Sequence, residues 1–198
     1  MPFKISALLV AALFGLPAFA GPNLVKNGEF TKQLEHWKVD FPQPNETKYL
    51  ENPKWVAVVD NPQGSGTALK FTLNGNVAAS QGVKACTEMM EVNPDANYEF
   101  GAELFTKGPT LKVFLEGYIK DEAQQVVGND FYPGFSRVYR CVIHVRSGQG
   151  GWATEKLAAR LAKLEKRYKP THVVIKLYAY WPEGEVYWRN VFLRKVGN

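Results

Sequence analysis

The sequence predicts an all-β sandwich of about eight or nine short antiparallel strands with one inserted α-helix. Three observations carry this. Apolar runs recur at short spacing between turn clusters such as 60–66, 74–76 and 107–109. The 17 glycines, 12 prolines and 13% aromatic content suit many turns better than a helical bundle. One stretch, 152–169, leaves the two-residue period of a strand and takes the helical one.

In chain order, residues 1–20 read as a secretion signal. Lys4 supplies the positive start, 8–14 the apolar core, Pro17 the break and Ala18-Phe19-Ala20 the small-x-small cleavage site. The remainder, 21–198, is expected to be one exported domain, periplasmic or secreted, without a membrane span. Export disfavours cytosolic cofactors and nucleic acid as partners and permits a disulfide. Strands are expected at 55–59, 68–73, 83–92, 98–105, 111–119, 137–145, 171–181 and 186–196, with 111–119 as the second arm of a hairpin begun by 98–105.

The helical reading of 152–169 rests on Leu157, Leu161, Leu164 and Tyr168, which fall on one stripe, with Thr154 as N-cap and Pro170 as stop. Its remaining surface is basic: Lys156, Arg160, Lys163, Lys166 and Arg167, then Lys169. Two readings stand, a solvated outer face or attraction to an anionic surface or polymer.

The opening Asn23-Leu24-Val25-Lys26-Asn27-Gly28-Glu29-Phe30 with Trp37, and the closing Gly184-Glu185-Val186-Tyr187-Trp188-Arg189-Asn190-Val191-Phe192-Leu193, form a pair of motifs. Between them lie Gly64-Ser65-Gly66-Thr67-Ala68-Leu69-Lys70, then Ser80-Gln81-Gly82-Val83, and Pro94 through Tyr98. This ordered set resembles the carbohydrate-binding modules of families four, nine and twenty-two, the CenC-like jelly rolls of galactose-binding-like type. The resemblance covers 21–196 and implies a jelly-roll sandwich, 152–169 being an insertion. Independently of it, Asn27-Gly28 is a turn that tolerates positive φ, and Phe30 and Trp37 can plug one end of the sandwich. Many such modules hold a structural calcium, using an acidic residue after the opening Phe and the first Asp of the closing strand. Those positions here are Thr31 and Arg189, a poor shell for an ion that wants several carboxylates. No calcium is therefore expected there; the Arg189 guanidinium is expected to fill the space, bonding carbonyls and Glu29, or else to point to solvent.

Alternation gives each long strand one aliphatic face and one of aromatics mixed with charges. The mixed faces gather Glu103, Phe105, Phe114, Glu116, Tyr118, Lys176, Tyr178 and Tyr180. Aromatic faces take the C–H side of a pyranose, while carboxylates and lysines bond its hydroxyls. The resemblance implies that such a sheet face is a glycan site; alternatively the rings lie packed beneath the inserted helix. Trp55, Trp152, Trp181 and the aromatic loop 129–135 are further candidates near rims.

Cys86 and Cys141 each share a face with apolar neighbours, and in the resembling fold their strands lie side by side, so a disulfide is expected; otherwise they are buried thiols. His36, His144 and His172 show no metal-ligand spacing, and no nucleophile elbow, P-loop or dinucleotide fingerprint occurs. A sugar-cleaving pair needs two carboxylates about 5–10 Å apart; Glu103 and Glu116 on adjacent strands would meet this, as any two cross-strand glutamates would. The expectation is thus a non-enzymatic module for a polysaccharide or glycoconjugate. An envelope protein or anionic-surface interaction is the second reading, and a small carbohydrate-active hydrolase or lyase the third.

Overall fold

The computed structural model describes residues 21–41, 51–122, 132–145 and 150–197. The proposed signal at 1–20, and part of the aromatic loop 129–135, lie outside the described residues. The strands are β1 (Trp37–Lys38), β2 (Val56–Asp60), β3 (Thr67–Leu73), β4 (Val83–Thr87), β5 (Met90–Glu91), β6 (Asn97–Lys107), β7 (Thr110–Lys120), β8 (Phe135–Val145), β9 (Ala153–Ala159), β10 (His172–Tyr180) and β11 (Gly184–Val196). They form two antiparallel sheets, one ordered β1-β4-β10-β7-β8 with β5 also on β10, the other β2-β3-β11-β6-β9. This is the expected jelly-roll sandwich.

Its core follows from alternation. Phe100, Leu104 and Trp188 of one sheet meet Val113, Ile175 and Leu177 of the other, all fully buried. The opening segment fastens the end of the sandwich. Phe30 and Trp37 are both buried with ring centroids 4.9 Å apart. Asn27 takes φ 51°, and its side chain bonds the carbonyls of Gln33 and Glu35 and the amide of Lys32. Asn23 fills the irregularity of β11, donating to the Val191 carbonyl and accepting from the Leu193 amide.

Two expectations are corrected here. β6 and β7 are not a hairpin: β6 pairs with β11 and β9, β7 with β10 and β8. The turn between them carries the chain from one sheet to the other. Gly108 adopts φ 122°, and Thr106 donates its hydroxyl to the Pro109 carbonyl.

The region 152–169 is not an inserted helix either. It holds β9 and two short 3₁₀ turns, Leu161–Lys163 and Lys166–Tyr168. β9 pairs with β6 from Leu104↔Ala153 to Tyr98↔Ala159, occupying an edge whose backbone groups would otherwise lie open. Gly101 permits the approach, since a Cβ there would fall 2.2 Å from the Glu155 carbonyl oxygen. The supposed stripe splits: Leu161 is fully buried and Leu164 packs on the core, whereas Leu157 and Tyr168 are exposed. The described residues do contain one α-helix, Gly75–Ser80, where a plain turn was expected. Asn74 caps it, its side chain accepting from the Val77 amide at 2.9 Å.

Candidate functional site

The outward side chains of the six-stranded sheet form a lattice set by register. In one row Lys84 (β4), Tyr178 (β10), Lys112 (β7) and His144 (β8) stand side by side. The next row runs Cys86, Lys176, Phe114, Val142, and the third Val174, Glu116, Arg140. A register shift after Gly117 brings Arg137 rather than Val138 opposite Tyr118. Six of the eight sequence-selected residues therefore share this face.

Their exposure divides them. Glu116 is 1% exposed, and its Oε1 accepts from Lys176 Nζ at 2.9 Å and Arg137 at 3.2 Å, with Arg140 Nε at 3.6 Å. The Tyr118 hydroxyl donates to its Oε2 at 3.1 Å. Tyr118 is also buried, in a cluster with Phe41, Cys86 and Val174 and edge-on to Tyr132 at 5.2 Å. Phe114 is 4% exposed beneath Arg140 and Lys176, whose charges stand 4.5 and 4.7 Å from its centroid. Tyr178 and Tyr180 are half-buried and stacked, 5.5 Å apart at 15°, with Lys112 Nζ 4.7 Å from the Tyr180 centroid. Trp181, the next residue, is 57% exposed. The accessible rings thus gather where β10 ends and β7 begins, while the charged cluster around Glu116 forms a structural floor.

Glu103 and Phe105 belong elsewhere. Both lie on β6, on the outer face of the five-stranded sheet, because the β6–β7 connection changes sheets. Phe105 is buried between Tyr187 at 5.6 Å and Trp152 at 6.1 Å. Glu103 accepts from Arg189 Nε at 2.6 Å, and the Arg189 guanidinium lies 4.3 Å from the Trp152 centroid. Arg189 therefore takes a carboxylate and an indole rather than the expected carbonyls and Glu29. With Arg189 so committed and Thr31 in the other ligand position, these residues do not fit the calcium shell implied by the resemblance. Glu103 and Glu116 point from opposite sheets, so they cannot flank one glycosidic bond.

Beside Glu103 is a depression of about 390 Å³ lined by Glu29, Glu99, Thr154, Asn190 and Arg194 among others. Burial raises the Glu29 pKa, the Glu103 charge raises it further, and Arg189 and Arg194 oppose the shift. With a folded pKa above the unfolded one, the stability from this group is complete below the unfolded pKa, near 4.5, and declines as pH rises through the folded value. Glu29→Gln is thus expected to melt higher than the parent at pH 7 and equally at pH 3.5. A variant that melts lower at pH 7 would show the ionised carboxylate to be favourable.

The two cysteines are free. The expected disulfide is absent because β10 and β7 separate β4 from β8, and the side chains point oppositely. Cys86 is opposite Lys176 on the outer layer, and Cys141 is opposite Leu115 and packs on the core. Burial, helped by Cys141, pushes the neighbouring Tyr139 phenol well above its ordinary pKa. The basic segment also loses its single face. Lys156 pairs with Glu99 at 3.1 Å and Arg167 with Glu165 at 3.1 Å, while Arg160, Lys163 and Lys166 are spread over the end of β9 and the 3₁₀ turns. His36 sits between Glu35 at 3.2 Å and Glu88 at 2.9 Å, and His172 lies edge-on to Phe135. Trp55 packs against the core. Among the described residues no His, Cys, Asp and Glu group is arranged to hold a metal ion, and no helix is long and apolar enough to cross a membrane.

Sequence reasoning left out the contribution of β8. The signal is present in the sequence, since Arg140, Val142 and His144 alternate with Cys141, Ile143 and Val145.

The architecture is that of carbohydrate-binding jelly rolls. Solved structures of this class that superpose on the chain include a family 16 carbohydrate-binding module at TM-score 0.52 and 14% identity, covering 86% of this chain and 99% of that one. A family 61 module solved with β-1,4-galactotriose gives 0.52 and 14%, covering 88% and 99%. Tailspike protein 4 of bacteriophage CBA120, in its enzymatically active domain, gives 0.58 and 13% over 88% of this chain, which spans only 21% of the tailspike chain. At these identities the likeness is one of fold. No family model matches the sequence, and no curated protein sequence matches it.

Proposed function

We propose that this protein is a non-catalytic binding module for a polysaccharide or glycoconjugate, exported by its N-terminal signal. The ligand lies on the outer face of the six-stranded sheet, at the end where β7 and β10 meet. The observation that carries the reading is the stacked Tyr178–Tyr180 pair, half-exposed beside Lys112 and followed by the exposed Trp181. Flat rings flanked by a hydrogen-bond donor suit the alternating C–H and hydroxyl faces of a sugar. The fold shared with carbohydrate-binding modules supports the reading. So does the placement of Glu103 and Glu116 on opposite outer faces, which removes the one carboxylate pair considered for cleavage.

The test is a panel of neutral and charged glycans against the parent, Tyr178→Ala and Tyr180→Ala. Binding by the parent is expected to fall about five- to tenfold in Tyr180→Ala, a loss near 1–1.4 kcal/mol for one stacking ring. Binding untouched by both substitutions would move the site off this face, and released reducing ends would make the protein an enzyme.

A further inference from the structure

We infer that the ligand of this face is an anionic polysaccharide, bound through its uronate carboxylates. This inference rests on the glycan-binding reading above. Among the described outward positions of β4, β7, β8 and β10, Lys112, Lys120, Arg137 and Arg140 reach the surface, Lys84 and Lys176 are buried, and the one carboxylate on these strands is Glu116. That carboxylate is buried and closest to Lys176 and Arg137. Arg140 reaches it only at 3.6 Å, with a side chain 50% exposed. Lys112 meets no carboxylate among the described residues; its contact is the Tyr180 ring. His144 stands exposed opposite Lys112. Lys112, Arg140 and His144 are therefore presented beside the accessible rings, while Glu116 is buried under the cations around it and the exposed Glu91 of β5 stands at the far end of the sheet, opposite His172.

The positions also suit a chain of sugars rather than one. Arg140 and His144 are four residues apart on β8, about 13 Å at the strand rise, which is longer than one pyranose ring. A linear polymer running along β7 and β8 would rest a ring on Tyr180 and Tyr178. Its carboxylates would then meet Lys112 at one end and the planar Arg140 guanidinium at the other. A neutral glycan would leave those cations without such partners. Duplex DNA would supply charge, but its bases are already paired and stacked and would not depend on the tyrosines.

The experiment measures affinity for polygalacturonate, alginate and hyaluronate, each also in its methyl-esterified form, with neutral glucans, dextran sulfate and duplex DNA alongside. At least one uronate polymer is expected to bind, and esterification, which keeps the sugar and erases the charge, to weaken it roughly tenfold or more. Lys112→Gln is expected to weaken the charged form and flatten its salt dependence with unchanged melting temperature, and Arg140→Gln to do the same with some loss of stability, since that side chain also covers Phe114 and neighbours Glu116. Equal binding of acid and ester, or binding of neutral glucans alone, would overturn this inference while leaving the glycan-binding reading intact. Failure of every polysaccharide would overturn both. Dextran sulfate and DNA binding as tightly as any uronate, indifferent to Tyr180→Ala, would also overturn both and leave a general polyanion surface.

Discussion

Glu116→Ala is expected to destabilise the protein by about 3–5 kcal/mol, the cost typical of breaking a buried ion pair from one side. Glu116 is 1% exposed and Lys176 8% exposed, and Lys176 Nζ donates to Glu116 Oε1 at 2.9 Å. Removing the carboxylate takes from the buried Lys176 ammonium its 2.9 Å carboxylate acceptor, and from the buried Tyr118 hydroxyl one acceptor. The loss belongs to breaking the pair and not to its net worth. Replacing both residues together, as Glu116→Leu with Lys176→Met, is therefore expected to cost much less. Urea midpoints for the two variants decide it: a loss below about 1 kcal/mol in Glu116→Ala would mean that the cluster is relaxed or solvated.

The second large effect lies on the other side of the core. Trp188→Ala is expected to cost about 3–5 kcal/mol. Trp188 is fully buried in β11, 5.8 Å from Phe71 across to β3, and β11 is the middle strand of its sheet. The indole cannot be replaced by collapse because strands on both sides hold the backbone apart. Trp188→Phe is expected to be far milder, since the indole Nε1 has no hydrogen-bond partner among the described residues and nothing polar is forfeited. Equal losses for alanine and phenylalanine, measured by thermal or urea unfolding, would contradict a purely space-filling role.

Elements whose local pattern agrees with their neighbours were legible in the sequence. Alternation placed Phe100, Leu104, Val113 and Ile175 in the core, and the Asn27-Gly28 turn with Phe30 and Trp37 plugged the end as expected. Elements decided by partners distant in sequence were not. Leu157, Leu161 and Leu164 fit a helical period, yet the open edge of β6 claims 153–159 as a strand. No local feature of β6 and β7 says that they enter different sheets, and this alone sends Glu103 and Phe105 to the opposite face from Phe114 and Glu116. For the same reason Cys86 and Cys141, each legible as buried or half-buried beside apolar neighbours, end two strands apart. Of the candidate face, the tyrosines and Lys176 were readable from β10 alone, whereas the β8 cations needed the register.

The strand order has a consequence for assembly. β10 and β11, the last two strands in sequence, occupy interior places in the two sheets: β10 between β4 and β7, and β11 between β3 and β6. A nascent chain growing from its N-terminus would hold β3, β4, β6 and β7 each with one of its two pairing partners still unmade, and neither layer could close until the stretch from His172 onward emerged. Folding is then governed by contacts of long sequence separation and commits late, so a ribosome-bound or truncated intermediate would show unzipped edges instead of half a domain.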